Sequence, residues 1–248
     1  MQETVAVILA AGKGTRMKSA LPKVLHAVGG QSMLRHVMTA AEQAGAKRTI
    51  VVVGFGGDQV QAEIGAAAEY VLQAEQLGTG HAMMQAQPVL AGYTGTVLLL
   101  CGDTPLLTGN TLQQLVAAHQ QSGAAATVLT AMPADATGYG RILRDKSGQV
   151  LGIVEQKDAT PEQKQIGEIN TGIYCFEAAP LFAALAGLTC NNAQQEYYLT
   201  DVLAILAQAG QRVGAVEVAD FQETLGINSR LQLAEAEKIL RQRKLLEL

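Results

Sequence analysis

Short runs of apolar and β-branched residues alternate along the chain with longer segments in which apolar positions recur every three or four residues. The short runs are typical of buried strands, and the longer segments are typical of amphipathic helices. The predicted strands are Val5–Leu9, Thr49–Val53, Thr96–Cys101, Ala126–Ala131, Val150–Val154, Gly172–Phe176 and Val213–Val218. The predicted helices are Ser32–Ala44, His81–Leu90, Asn110–Gln121, Ala178–Leu188 and Tyr198–Ala209.

The order of these elements predicts the fold class. Strand followed by helix, repeated several times, is typical of an α/β domain whose mostly parallel sheet carries helices on both faces. We therefore expect a Rossmann-like sheet within residues 1–227. The alternation loosens after Pro133, which predicts a small mixed appendage. Residues 228–248 are expected to form a C-terminal helical arm with a partial apolar stripe at Leu233, Ala236 and Leu240.

Composition and charge exclude several classes of protein. The 248 residues are 48% apolar and 16% charged, as in ordinary globular domains, and the net charge of −4 comes without a dense basic cluster that would bind nucleic acid. The first apolar run is too short to span a membrane, and the three cysteines lack the spacing of a zinc site or disulfide scaffold. We expect a cytoplasmic protein without nucleic-acid or membrane partners; its oligomeric state stays open.

A glycine-rich loop follows the first strand directly. It reads Leu9-Ala10-Ala11-Gly12-Lys13-Gly14-Thr15-Arg16, with Pro22-Lys23 shortly after it. Small residues allow backbone N–H groups to approach a polyphosphate, and nearby cations neutralise its charge. The guanidinium of Arg16 is a planar fork for phosphate oxygens, whereas Lys23 is a compact point charge. We therefore predict a polyphosphate site with Arg16 and Lys23 as its cations.

Two better-known glycine loops do not fit this sequence. The dinucleotide-binding loop needs a third small residue where Met17 stands, and the P-loop needs Ser or Thr directly after its lysine, where Gly14 follows Lys13. A plain glycine turn beside surface lysines is the remaining alternative. The two glycines, the arginine and the Pro-Lys pair in this register favour the phosphate site.

The same loop resembles a known family. Leu-Ala-Ala-Gly-x-Gly-Thr-Arg followed by Pro-Lys is similar to the motif of the sugar-nucleotide pyrophosphorylases, and most of all to the uridyltransferase domain of bifunctional N-acetylglucosamine-1-phosphate uridyltransferases. The resemblance spans nearly the entire chain. It implies that residues 1–227 form the nucleotidyltransferase domain. The implied reaction converts UTP and N-acetylglucosamine 1-phosphate into pyrophosphate and UDP-N-acetylglucosamine, a peptidoglycan precursor, with Mg²⁺ as cofactor.

The resemblance also implies a nucleotide side of the site. It assigns the nucleotide to the backbone of Leu9, Ala10, Ala11 and Gly12, to Gln73, Gly78 and Thr79, and to Asp103. A glutamine amide can pair with a pyrimidine edge, and a glycine permits close approach of the backbone. From the residues alone, the stretch around Gly78 would be the start of a helix capped by Thr79.

Asp103 and Asn228 are the metal ligands that the resemblance implies. Asp103 follows a strong apolar strand, where parallel sheets place ligand sites, and a carboxylate there suits Mg²⁺. The residues alone leave another use for each side chain: Asp103 would cap the next turn, and Asn228 would be the N-cap of the last helix.

The sugar side is implied by the resemblance alone, at Gly140, Glu155, Asn170, Tyr197 and Thr200. Taken singly, these positions would be a turn, a surface charge cluster and loops. Cys101 departs from relatives that carry an aromatic residue there, so we expect a changed pocket wall but no nucleophile, because a thiolate needs an activating neighbour.

Two alternatives to this function stay open. One is another pyrophosphorylase that uses glucose 1-phosphate or a different nucleotide. The other is a nucleotide-binding module without turnover, against which the joint presence of Arg16, Lys23, Asp103 and Asn228 argues. The 248 residues contain no six-residue repeat of the kind that builds a β-helix, so we expect no acetyl transfer from them.

Overall fold

A central sheet organises the computed structural model, which describes residues 2–246. In chain order, the strands are β1 (Thr4–Ala10), β2 (Ala27–Val28), β3 (Gln31–Ser32), β4 (Ala46–Val53), β5 (Glu69–Leu72), β6 (Thr96–Cys101), β7 (Ala126–Ala131), β8 (Arg141–Arg144), β9 (Val150–Val154), β10 (Ile169–Glu177) and β11 (Val213–Glu217). The helices are α1 (Met33–Gln43), α2 (Gly57–Ile64), α3 (Thr79–Ala86), α4 (Gly109–Ser122), α5 (Ala178–Leu185), α6 (Asp201–Gln208) and α7 (Arg230–Leu246).

Seven strands lie side by side in the order β11-β7-β10-β6-β1-β4-β5. Six run in one direction and β10 runs antiparallel to both of its neighbours, β6 and β7. The β8–β9 hairpin extends this sheet by pairing with the start of β10. The predicted Rossmann-like, mostly parallel sheet and its small mixed appendage are confirmed.

The sheet is buried on both faces because successive side chains of a strand point to opposite sides. In β1, Val5 and Val7 pack on one face with helices α3, α5 and α6, whereas Ala6 and Ile8 pack on the other with α1, α2 and α4. All four side chains are at most 1% exposed. This arrangement explains why the first apolar run shows no alternation with polar residues.

Most predicted elements are found, with shifted ends. The structure places β6, β7 and β9 at the predicted bounds, but β10 is longer and α6 begins only at Asp201. The predicted helix His81–Leu90 is α3 followed by a short 3₁₀ turn, since Pro88 cannot continue the hydrogen-bond ladder. Sequence patterns missed β5, α2, β8 and the small β2–β3 hairpin, which are short or only partly buried.

The last helix packs onto the domain. Its apolar stripe is confirmed: Ala236 is 1% exposed and lies in a cluster with Val28, Met33, Leu106 and Ile227, while Leu233 and Leu240 pack against that cluster. The predicted arm ran to residue 248, and residues 247–248 lie outside the described part. The division at 227/228 stays a prediction. Between residues 2 and 246, the longest helices are too short or too polar to cross a bilayer.

Candidate active site

A pocket of about 260 Å³ opens where β1, β5 and β6 end. Parallel strands bring their carboxyl ends to one edge of a sheet, where loops from different parts of the chain meet. Nine residues that the sequence assigned to the site line this pocket: Leu9, Ala10, Ala11, Gly12, Lys23, Gln73, Gly78, Thr79 and Asp103. Their assembly at one edge is the geometry that the sequence motifs predict.

Lys23 joins the two predicted metal ligands. Its ammonium nitrogen donates hydrogen bonds to Oδ2 of Asp103 and to Oδ1 of Asn228, the latter at 2.9 Å. The side chains of Lys23 and Asp103 are only 15% and 16% exposed. The structure therefore gathers three charged or polar groups, far apart in sequence, around one buried point.

The backbone holds Asp103 and Asn228 together. The amide of Ile227 donates to the carbonyl oxygen of Asp103 at 2.9 Å. A β-carbon on Gly226 would lie 3.6 Å from the Asn228 amide nitrogen and 3.8 Å from Oδ2 of Asp103, so the glycine fits closely between them. The side chain of Asp103 does not cap a turn, and the side chain of Asn228 is not an N-cap.

Other residues cap the last helix. The hydroxyl of Ser229 accepts from the amide of Gln232, and the Gln232 side chain accepts from the amide of Asn228. This pair works much as a capping box, in which two orphan N–H groups are satisfied reciprocally. The side chain of Asn228 is thereby left to face Lys23, which corrects the alternative interpretation of Asn228 as an N-cap.

The donor set of this pair fits Mg²⁺. One carboxylate and one amide oxygen converge on the single cationic nitrogen of Lys23, which marks a point where a cation is held. Mg²⁺ typically takes one or two protein oxygens and completes its shell with water and phosphate oxygens. Within residues 2–246 there is no cluster of three or more His, Cys, Asp or Glu side chains that would suit a different metal.

The glycine loop depends on a close contact with Lys23. Gly14 has φ of +59°, and a β-carbon there would lie 2.6 Å from the β-carbon of Lys23. Arg230 of α7 donates to the carbonyl oxygens of Met17 and Lys18, the latter a non-glycine residue with φ of +48°. Backbone in this region is costly for an L-residue, so these hydrogen bonds help to stabilise the turn.

Arg16 lies on the same turn but not in the pocket wall. It belongs to the 3₁₀ turn Thr15–Met17, its side chain is exposed, and it is absent from the residues that line the pocket. The structure therefore brings Lys23 to the site and leaves Arg16 at its margin. The role of Arg16 stays a prediction.

Gln73 is buried in the wall of the pocket, with 3% of its surface exposed. Its amide nitrogen donates to the carbonyl oxygen of Gly78 and contacts Nδ1 of His81, both at 3.1 Å. A carbonyl oxygen can only accept, so this contact fixes which way the amide faces. The side-chain nitrogen of Gln73 is thereby engaged within the protein, and the residue lines the pocket.

Gly78 is required by a contact within the protein. Its φ is +110°, and a β-carbon there would lie 2.6 Å from the carbonyl oxygen of Tyr197. The Tyr197 backbone also accepts from Gly80 and donates to Leu77, each at 2.8 Å. The Thr79 hydroxyl accepts from Leu199 and does not cap α3, which corrects the interpretation of Thr79 as an N-cap.

Four of the five predicted sugar residues lie close together. The Thr200 hydroxyl donates to Glu155 at 3.1 Å, and the amide of Asn170 donates to the Gly140 carbonyl at 2.9 Å. A β-carbon on Gly140 would be 3.5 Å from both Glu155 and Asn170. Tyr197 instead contacts Gly78 and Gly80 through its backbone. None of the five lines the 260 Å³ pocket, and their role stays a prediction.

Sequence reasoning missed part of the wall. Val24, Gln76, Ala82 and Glu196 also line the pocket. Gln76 lies between Gln73 and Gly78, and Glu196 precedes Tyr197, but no sequence pattern shows which residue of a loop points inward. Cys101 lines the pocket as expected, and burial raises the pKa of its thiol to about 12, with Asp103 adding and Lys23 opposing. A thiol this weakly acidic is no nucleophile near neutral pH.

Comparison with known proteins settles the family. The model of the family described as nucleotidyl transferase matches residues 5–224. The chain belongs to the nucleotidyl transferase family. Residue 224 lies just before the Gly226–Asn228 segment, so the match covers the glycine loop, Gln73, Gly78 and Asp103.

Three relatives of this nucleotidyl transferase share the name Bifunctional protein GlmU. Those of Pelotomaculum thermopropionicum, Heliobacterium modesticaldum and Enterococcus faecalis are 56%, 58% and 51% identical, over 99%, 98% and 98% of this chain. The aligned region is 54%, 53% and 53% of each relative. The chain therefore spans about half the length of these curated relatives.

A solved structure shares the fold of this nucleotidyl transferase. It is that of a UDP-glucose pyrophosphorylase complexed with UDP-glucose, and it superposes with a TM-score of 0.76 over 98% of this chain and 100% of the other. The two sequences are 18% identical, so the likeness concerns the fold alone.

The contact between Gly14 and Lys23 yields a stability prediction for this nucleotidyl transferase. Gly14→Ala should lower the free energy of unfolding by about 2 kcal/mol, because alanine meets both an unfavourable φ and the Lys23 side chain. Gly12→Ala is the matched control, since no atom lies within 4 Å of a β-carbon there. It should change stability by less than about 0.5 kcal/mol. Urea unfolding without ligands measures the free energy of unfolding of both variants. An equal loss of stability in the two would contradict the contact between Gly14 and Lys23.

Glu155 yields a second prediction, which concerns the pH dependence of stability. Burial raises the pKa of its carboxyl, with Asp201, Asp158 and Glu196 adding and the Thr200 hydrogen bond opposing. A carboxyl with a raised folded-state pKa favours the folded state while protonated and loses that contribution as pH rises through the folded pKa. Glu155→Gln should therefore stabilise the protein more at roughly pH 7.5 than at roughly pH 4.5, near the ordinary glutamate pKa.

Thermal unfolding at both pH values tests the behaviour of Glu155. The exposed Glu235→Gln serves as control, because it removes the same charge without relieving burial. If the Tm difference between wild type and Glu155→Gln is the same at both pH values, Glu155 is not held in an environment that disfavours its charge.

Proposed function

We propose that this chain transfers uridylyl from UTP to N-acetylglucosamine 1-phosphate, giving UDP-N-acetylglucosamine and pyrophosphate. The observation that carries the proposal is the assembly of the glycine loop, Gln73, Lys23 and Asp103 around one pocket, with Asn228 behind them. Membership of the nucleotidyl transferase family and 51–58% identity to proteins named GlmU support it.

The reaction needs no nucleophile from the protein. An oxygen of the sugar phosphate, already ionised near neutral pH, attacks the α-phosphorus of UTP. The bond between that phosphorus and the oxygen bridging to the β-phosphate breaks on the opposite side, and pyrophosphate leaves with the electron pair. Positioning and charge neutralisation then account for catalysis, as in other phosphoryl-group transfers.

Lys23 and Arg16 are the cations that hold the triphosphate and stabilise charge that develops on it. Lys23 lines the pocket beside the small residues Ala10 to Gly12, whose backbone a phosphate can approach. Asp103 and Asn228 would hold Mg²⁺, which on binding neutralises phosphate oxygens of the substrates. Arg16 lies on an exposed turn, from which its long side chain can reach a nucleotide that fills the pocket.

Gln73 provides the basis for choosing uracil. Its amide nitrogen is engaged by Gly78, so the amide oxygen is the group available to a base. Uracil offers an N3–H donor to such an oxygen, whereas N3 of cytosine is an acceptor and would leave two acceptors facing each other. A buried acceptor without a donor is costly, which favours UTP over CTP.

The sugar hydroxyls and acetamido group are assigned to Gly140, Glu155, Asn170, Tyr197 and Thr200. The side chains of Glu155 and Asn170, which carry oxygen and amide groups, both lie next to Gly140. A sugar needs such preset donors and acceptors for neighbouring hydroxyls. We also place the reaction in the cytoplasm, because Cys101, Cys175 and Cys190 are free thiols, as in a reducing compartment.

The substrate assignment predicts a specific product pattern. With UTP, N-acetylglucosamine 1-phosphate and Mg²⁺, the purified chain should release pyrophosphate, and chelation of the metal should stop the release. Glucose 1-phosphate or CTP in place of the preferred substrate should lower kcat/KM by at least about tenfold. Preference for either substitute would identify another pyrophosphorylase. Nucleotide binding without pyrophosphate would instead identify a binding module.

The phosphate cations predict the effect of their removal. Lys23→Ala and Arg16→Ala should each raise the activation free energy by about 2–4 kcal/mol, the scale for one preorganised donor. Lys47→Ala, which removes an exposed charge at the start of β4, is the control and should leave kcat/KM unchanged. If kcat/KM falls only a few fold in Lys23→Ala or Arg16→Ala, the role proposed for that residue is refuted.

A further inference from the structure

A cation from the chain itself stands between the two oxygens assigned to the metal. The Lys23 ammonium contacts Oδ2 of Asp103 and lies 2.9 Å from Oδ1 of Asn228. Both hydrogen bonds are made by one nitrogen, so its position is the point on which the two oxygens converge. A divalent ion that used both oxygens would need this same point.

The electrostatics of the free protein favour this arrangement. The Asp103 and Lys23 side chains are 16% and 15% exposed, and a largely buried carboxylate is costly without an opposite charge. Lys23 supplies that charge in the absence of ligands. An ammonium and a divalent cation cannot share the position, because they repel each other and occupy the same volume.

The Lys23 side chain also has a second possible partner, the triphosphate. It lines the nucleotide pocket together with Ala10, Ala11 and Gly12, where the triphosphate is assigned. Its backbone is fixed in the 3₁₀ turn Lys23–Leu25 and packed against Gly14, but four rotatable carbons separate the ammonium from that backbone. The side chain can thus exchange carboxylate for phosphate while the loop keeps its shape.

We propose that Lys23 and the divalent cation are alternative occupants of the Asp103–Asn228 oxygen pair. In the free protein Lys23 fills the site and suppresses metal binding. A bound triphosphate withdraws the ammonium and frees the pair for the metal. Nucleotide and metal then bind with positive coupling, which by linkage acts equally in both directions.

The proposal rests on the proposed function for the nucleotide half of the exchange, but its first half concerns the free protein alone. The decisive measurement is the affinity for Mn²⁺ without nucleotide, followed by electron paramagnetic resonance or calorimetry. Mn²⁺ takes the same oxygen ligands as Mg²⁺. The proteins compared are wild type, Lys23→Met, Lys23→Arg and Lys13→Met.

Lys13→Met is the matched control for charge. Lys13 is an exposed lysine of the same loop, and its removal changes the net charge by the same amount as Lys23→Met. Lys23→Met should bind Mn²⁺ at least about tenfold more tightly than wild type, since it removes a charge-assisted hydrogen bond that the metal must otherwise break. Lys13→Met should change the affinity for Mn²⁺ by less than about twofold. Lys23→Arg should still suppress Mn²⁺ binding.

Adding Asp103→Asn to Lys23→Met tests where the ion binds. The second substitution should abolish the gain in Mn²⁺ affinity that Lys23→Met produces. Circular dichroism and thermal unfolding establish that each variant is folded, and Lys23→Gln replaces Lys23→Met if the latter is not. Equal or weaker Mn²⁺ binding without Lys23, or an equal gain in Lys13→Met, would overturn the proposal. Since no turnover is measured, a negative result here leaves uridylyl transfer standing, and failure of the transfer assay leaves the metal competition standing.

Discussion

The parallel pairing of β1 with both neighbours is the constraint on which the site depends. Leu9 is level with Val52 of β4 on one side and with Cys101 of β6 on the other. The carboxyl halves of all three strands are buried, and a slip of one residue in register would move every side chain to the opposite face. The register therefore fixes the glycine loop and Asp103 at one height, so the position of the pocket follows from main-chain hydrogen bonds.

Side chains that are distant in sequence then close the site. The Lys23–Asp103–Asn228 group joins the loop after β1, the loop after β6 and the segment before α7. Gly78 and the Tyr197 backbone join the loop before α3 to the segment before α6 in the same manner. Buried polar groups of this kind stabilise a structure only when all of them are satisfied, so each contact constrains its neighbours.

The sequence predicts the sheet because its strands are apolar on both faces and its helices are amphipathic; β6, β7 and β9 even have the predicted bounds. It misses β5, an edge strand of four residues, since a short half-exposed segment carries little periodicity. The motifs predict which loops form the site, and nine of their residues line the pocket. They do not predict the Lys23 contacts or the inward face of Gln76 and Glu196, because those depend on distances between loops.

The segment before α7 has a consequence for how the protein is made. Translation proceeds from the N-terminus, so Asn228 leaves the ribosome 205 residues after Lys23 of the loop that follows β1. Most of the sheet can form in between, yet the oxygen pair cannot exist until residue 228 has emerged and Ile227 has bonded to Asp103. The group of Lys23, Asp103 and Asn228 is therefore completed only after residue 228 has emerged, long after Lys23 and Asp103 have been synthesised.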